Sequence, residues 1–154
     1  MNLILFETDE DLAYLSPSDP RTTHIKKVLR AKADDRVRIG VIGSGFGVAR
    51  LVRIDGGGVR LSTESWTDDP WRPTISIRLL LGHPRPLVAK RLFKDLACLA
   101  VNRVSLFHSD LGERSYQQST VWQNVRKYLI EGASQGGHTL LPVVDRYDSL
   151  DAAI

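Results

Sequence analysis

Two stretches carry side chains whose types could do chemistry. In "EGASQGGHT" (131–139), Glu131, Gln135 and His138 gather beside a glycine stop that ends a helical pattern and leads into a strand. Glu, Gln and His move protons and hold polar substrates, so the segment reads as a polar functional site. A glycine C-cap explains the glycines but not the polar residues beside them, although Glu131 serves equally well as a structural cap partner. In "GHPRPLVAKR" (82–91), Arg85 precedes a helix start at the carboxyl end of a strand, where open α/β sheets bind ligands and anions. A rigid proline turn accounts for the same residues.

Other motifs carry less. "GSGFG" (43–47) has the glycine spacing of a dinucleotide loop, but it lies between two strands and opens no helix, so it reads as a turn. "HSD" (108–110) contains triad residue types, yet sequence neighbours cannot form a nucleophile–base–orienter geometry. His24, His83, His108 and His138 show no ligand spacing with Cys or acidic residues, and no metal is expected. The single cysteine, Cys98, forms no internal disulfide and reads as a small buried apolar residue between leucines.

Charge adds a further candidate. The net charge is only +3, but "RTTHIKKVLRAKADDRVRIG" (21–40) holds seven Lys and Arg against Asp34 and Asp35, while residues 7–19 hold five acids. Such a patch suits a phosphate backbone, and a solvated helix face is the alternative. No apolar run is long enough to span a bilayer and no signal peptide is legible, so the chain is read as cytoplasmic, with no membrane partner.

The elements that must position these residues fall into two halves. "LILF" (3–6) suits a strand, and "SDP" (18–20) opens a helix to about Arg30 with Ile25, Val28 and Leu29 inward. Strands "RVRIGVI" (36–42), "GVARLVRI" (47–54) and "GVRLSTE" (58–64) follow, joined by the hairpin turns "GSGFG" and "DGGG". This predicts a small β-barrel or curled sheet over residues 1–68, and "SWTDDPWRPT" (65–74) reads as linker, the boundary set at 69–74. The second half, 75–154, predicts βαβαβ with a parallel sheet. "ISIRLLL" (75–81) is a strand buried on both faces, and 86–100 is a helix with Val88, Leu92, Leu96 and Leu99 along its inner side. "RVSLF" (103–107), a helix opened by Ser119 over 119–134, "LLPVV" (140–144) and the start of a helix in "SLDAAI" (149–154) complete the pattern. The fold class is mixed α/β.

In order and spacing these segments resemble the RsmE-type 16S ribosomal RNA uridine methyltransferases of the SPOUT superfamily. "RTTHIKKVLRAKADDRVRIG" with "GFGVARLVRI" is similar to the family's R-x-x-H-x-x-x-V-L-R signature and PUA-like barrel. "KRLFKDLACLAV" leading to "LGERS", and "EGASQGGHTLLPVV" beside the family's E-A-x-x-Q-x-x-R-x-x-x-P-x-V, extend the resemblance along nearly the whole chain. His138 stands where the family usually has Arg, and "MNLILFE" lacks an early arginine.

The resemblance implies a PUA-like RNA-binding barrel followed by part of a SPOUT-type α/β domain. It implies methylation of a uridine N3 with S-adenosylmethionine, 16S ribosomal RNA or the small ribosomal subunit as partner, and a homodimer as the complete enzyme. On this reading Arg21, His24, Lys27, Arg30, Lys32 and Arg85 contact RNA, and Glu131, Gln135 and His138 lie near the target base in catalytic roles. A packed helix histidine is the alternative for His24. The family's G-P-E-G-G and L-G-x-x-I-L-R cofactor segments have no counterpart here, so the cofactor-binding residues are expected beyond Ile154 and the chain alone is expected to be inactive. Two readings compete: a catalytically silent RNA-binding module, and an unrelated small-molecule α/β enzyme, which lacks a complete cofactor loop. Cofactor binding separates them.

Overall fold

A computed structural model describes residues 3–68, 72–110 and 112–154. The chain forms two compact units that divide at residues 71 and 72. The boundary falls inside the expected linker 69–74, of which residues 69–71 lie outside the described residues.

The first unit is a curled five-stranded sheet with one helical segment. Its strands are β1 (Ile4–Phe6), β2 (Tyr14–Leu15), β3 (Arg36–Val41), β4 (Phe46–Asp55) and β5 (Gly58–Thr67), in the order β1-β3-β4-β5-β2. Only β1 with β3 is parallel; the other pairs are antiparallel. Both expected hairpins are present, and "GSGFG" is a turn: Ser44 N–H donates to Val41 O, and Gly43 takes φ +70°, a conformation only glycine adopts cheaply. Phe6, Leu15, Ile25, Ile39, Leu51 and Val59 fill the core. Two expectations need correction. β2 is a two-residue strand with no legible pattern, and β5 extends through Thr67 into the expected linker, with Trp66 against the core.

The helical segment also departs from expectation. Asp19 caps α1 (Pro20–Thr23), and Pro20 supplies a preset first-turn φ. The chain then widens into a π-turn, His24–Val28, whose signature is the Leu29 N–H donating to His24 O at 3.0 Å. Five-residue spacing breaks the 3.6-residue face. Ile25 therefore stays buried and Leu29 packs on the core, but Val28 turns outward at 66% exposure.

The second unit is a parallel three-stranded sheet, β6 (Arg78–Gly82), β7 (Arg103–Phe107) and β8 (Val143–Tyr147), in that order. α2 (Pro86–Cys98) and α3 (Val125–Gly136) are the crossovers and pack on each other, so both cover one face. Two short 3₁₀ turns, Arg114–Gln118 and Thr120–Asn124, precede α3 where a single helix from Ser119 is expected. Leu79, Leu81, Val104, Leu106 and Val144 meet Ala89, Phe93, Leu96 and Leu129 in the core. On the opposite face Ser105 is fully buried, held by the Arg78 guanidinium at 3.3 Å, and Arg78 Nη2 donates to Ala153 O of α4 (Leu150–Ala153).

One-sided cover explains the other corrections. Leu80, on the face away from α2, is partly exposed, and Ile75, 70% exposed, precedes the ladder, so 75–81 is not buried on both faces. In α2 the buried face is Ala89, Phe93, Leu96 and Ala97; Val88 and Leu99 point to solvent, and Leu92 packs at the margin. β8 begins at Val143 rather than Leu140 because Pro142, without an N–H, cannot donate to a ladder. Cys98 is half-buried and a free thiol.

Candidate functional site

In the first unit the predicted RNA contacts divide into a braced residue and an open set. Arg21 is spent internally: Nη2 lies 2.6 Å from both Glu10 Oε1 and Asp19 Oδ2, Nη1 donates to Leu5 O, and the guanidinium sits 4.7 Å from the Phe6 ring centre. Burial opposes its charge, but hydrogen bonds to Asp19 and Glu10 outweigh this and raise its pKa above the ordinary arginine value. The same bonds hold Glu10 low, and hold Asp19 low against its own burial. Arg21 therefore clamps the α1 entry to the β1 end, a positioning task.

Lys27, Arg30 and Lys32 are exposed, and among the described residues no carboxylate forms an ion pair with them. Arg30 sits at φ +52°, where a non-glycine residue is strained by about 1–3 kcal/mol. The turn around it ends the helical segment, with Ala31 N–H donating to Ile25 O at 3.1 Å. His24 lies half-buried at the head of the π-turn, and its buried Nε2 has no hydrogen-bond partner among the described residues. Neighbouring arginines on the strands are compensated instead: Arg36 and Arg50 by Glu64, Arg50 also by Asp34, and Arg53 by Asp55. The open cations can thus meet phosphates without first breaking a salt bridge.

In the second unit Glu131 and His138 meet the C-terminal part of α2. Glu131 forms an ion pair with Lys94, Gln135 is exposed, and the buried His138 places Nε2 2.9 Å from Ala97 O. Burial lowers the pKa of His138 against opposing contacts with the Ala97, Cys98 and Leu140 backbone. Gly132 lets the two helices approach closely, since a Cβ there would stand 2.2 Å from Lys94 O. A crossover helix runs antiparallel to its strands, so this cluster lies at the edge where the strands begin. Gly137, at φ +77°, closes α3 with its N–H on Ala133 O at 2.8 Å, as the glycine stop implied. Glu131 and His138 thus bond to α2, while Gln135 stays open to solvent.

The other edge gathers residues that sequence reasoning passed over. The pairing Leu81–Leu106–Arg146 sets a row on the helix-covered face, and His83 and His108 continue that face one row further. His83 N–H donates to Phe107 O, and His108 N–H to Tyr147 O. The His83 ring meets Trp122 edge-on at 5.2 Å, and the exposed Arg146 lies 5.4 Å from the same ring while donating to Gln117 O at 3.0 Å. His83 Nδ1 is buried without a hydrogen-bond partner among the described residues. Burial first, then the charges of Arg146 and His108, lower the pKa of its imidazole. Arg85, exposed, ends the same β6 loop and has no side-chain bond capping α2. A neutral imidazole accepts a proton, and a guanidinium attracts an anion, so this edge can do both. The legible signal was position: each residue directly follows or closes an apolar strand. Among the described residues no group of His, Cys, Asp and Glu is arranged to hold a metal, and no helix is long and apolar enough to cross a membrane.

Residues 17–64 match the model of the RNA methyltransferase PUA domain. The chain is 32% identical to ribosomal RNA small subunit methyltransferase E of Treponema pallidum, covering 97% of this chain and 58% of that protein. It is 30% identical to ribosomal RNA small subunit methyltransferase E 1 of Borreliella burgdorferi, covering 94% and 60%. It thus spans about three-fifths of the length of these curated relatives. The fold is shared with the crystal structure of a ribosomal RNA small subunit methyltransferase E from Neisseria gonorrhoeae bound to S-adenosyl methionine. That match has a TM-score of 0.68 and 13% identity, and covers 96% of this chain and 62% of that one.

Proposed function

We propose that this chain, which resembles the RsmE-type ribosomal RNA methyltransferases through both of its units, holds small-subunit ribosomal RNA for methylation of a uridine at N3. The observation that carries the reading is the run of open cations, Lys27, Arg30 and Lys32, on the stretch that matches an RNA methyltransferase PUA domain. In this reading His24 and Arg85 join the RNA contacts, and Arg21 acts by fixing the segment that presents them. The enzyme works in the cytoplasm as a homodimer.

S-adenosylmethionine is the methyl donor this reading requires, supplying an electrophilic methyl group when bound. The glycine turns at 43–47 and 56–58 are β-hairpins, and no described glycine loop opens a helix. None of these glycine turns is offered as the cofactor's cradle. What this chain's residues supply is grip on the RNA and a polar sheet edge for the target nucleotide. The N3 proton must leave during the reaction to an acceptor beside the target base.

The test is chemical. Deleting the encoding gene should remove one N3-methyluridine from 16S ribosomal RNA, read by mass spectrometry of nucleosides and mapped fragments, and re-expression should restore it. An unchanged N3-methyluridine content would overturn the assignment. Loss of RNA binding without loss of the mark would favour the silent RNA-binding module.

A further inference from the structure

We propose that the carboxyl edge of the second unit's sheet is a phosphoryl-binding subsite, formed by Arg146, His83 and His108 beside Trp122. It deepens the RNA-methylation reading and rests on it only for the source of the phosphoryl group, an RNA phosphodiester.

Three observations converge. First, strand register places the residues: Arg146 closes the row Leu81–Leu106–Arg146, and His83 and His108 directly follow the paired strand ends Gly82 and Phe107. Their backbones are fixed by the His83 N–H to Phe107 O bond at 3.0 Å and the His108 N–H to Tyr147 O bond at 3.3 Å. Second, the cation is exposed yet held. Arg146 gives one N–H to Gln117 O and stacks toward Trp122, leaving other donors of its five to a ligand. The ring is anchored in turn, since Trp122 Nε1 donates to Tyr116 O and the ring packs edge-on with Phe93 at 6.0 Å. Third, no carboxylate compensates this arginine among the described residues. Arg103, one strand across on the other face, does have its carboxylate, Asp145 at 2.5 Å. Cationic and imidazole donors converging without an acid is the composition of an anion site, and a guanidinium fork fits two phosphoryl oxygens at once.

A nucleobase-only site is disfavoured. His83 and Phe93 meet the Trp122 ring at near-perpendicular angles and Arg146 stands over it, so three side chains already engage the indole.

The experiment uses the 154-residue chain and nuclear magnetic resonance of its imidazole and arginine side chains. Uridine 5′-monophosphate, inorganic phosphate, uridine and a short oligouridylate are titrated separately. Both phosphate-bearing mononucleotide and oligonucleotide should shift the His83, His108 and Arg146 signals, whereas uridine alone should not. Oligouridylate binding more tightly than inorganic phosphate identifies the RNA backbone as the source; equal affinities identify free phosphate. Arg146→Gln should weaken binding by about tenfold or more, as expected for losing a charge-assisted bond. Arg103→Gln, on the opposite face, should leave it unchanged. Absence of shifts with every phosphate, or equal binding by folded Arg146→Gln protein, overturns the subsite. Salt-dependent RNA binding through Lys27, Arg30 and Lys32 would survive that result, so the two readings fail separately.

Discussion

Gly132→Ala should destabilise the second unit, although alanine is the better helix former by about 1 kcal/mol. The added Cβ would lie 2.2 Å from Lys94 O, 2.8 Å from Ala97 Cβ and 2.9 Å from the Lys94 carbonyl carbon. Ordinary contact begins at 3.4 Å, so α2 and α3 must part by roughly 1 Å along that line. The obstacle is backbone of a packed helix, which cannot rotate aside as a side chain can. Overpacking of this kind costs about 1–3 kcal/mol and often more against a rigid wall. Taking the upper end of that range for a backbone obstacle and subtracting the propensity gain leaves a net loss of about 2 kcal/mol. For a unit of this size that lowers the thermal midpoint by roughly 8–16 °C. Urea titration followed at the Trp122 indole resonance measures the unit directly. Gly56→Ala is the control, because nothing lies within 4 Å of a Cβ there. Should Gly132→Ala prove as stable as the parent, the helix pair yields more readily than backbone packing allows and the joint holding Glu131 and His138 is not rigid.

Three further outcomes follow from the charges. Replacing Lys27, Arg30 and Lys32 with Ala should flatten the log–log salt dependence of structured-RNA binding by roughly 0.7–0.9 for each phosphate no longer neutralised, and an unchanged slope in filter binding would make the patch a solvated face. Glu10 and Asp19 have folded pKa values below their ordinary 4.5 and 3.8, so their ion pairs with Arg21 stabilise the fold above those values; this contribution should vanish as pH falls through the lowered pKa values, and acid unfolding of Arg21→Ala should show a shallower dependence in that window. His83 should titrate below the ordinary imidazole value, and Arg146→Gln should move it part of the way back, leaving the larger share owed to burial; a normal pKa by imidazole resonance would contradict the packing around Trp122.

Sequence periodicity located the elements that obey one rule and failed where two rules compete. The hairpins at 43–47 and 55–58 were legible because glycine turns between alternating strands have few other uses. The βαβαβ order was legible because parallel strands demand crossovers. Val28 was misplaced because a π-turn resets helical phase without any residue that announces it. Leu80 and Ile75 were misplaced because hydropathy counts apolar residues but not the number of layers packed upon them. In α2 the small Ala89 and Ala97 carry the buried face, while large Val88 and Leu99 do not, so a search for bulky residues finds the wrong side. Arg21 shows the same limit for charge: its acids lie 2 and 11 residues away, and only the fold reveals that both are spent on it.

Two groups of polar side chains lie at opposite edges of the sheet for a reason of chain direction. Sequence proximity drew attention to Glu131, Gln135 and His138 as a set, and the structure ties Glu131 and His138 to the C-terminal part of α2 while Gln135 stays exposed. Yet α3 has 12 residues, which at 1.5 Å per residue carry the chain roughly 18 Å back toward the start of the strands. Groups at the end of a crossover helix and groups at the end of a strand therefore belong to opposite edges. The His83, His108 and Arg146 group comes from three strands separated by whole helices, so no local window contains it. Two separate economies result: the edge where strands begin can be optimised for tight helix packing, as Gly132 requires. The edge where they end carries His83, His108 and Arg146 at the carboxyl ends of parallel strands, where open α/β sheets take ligands.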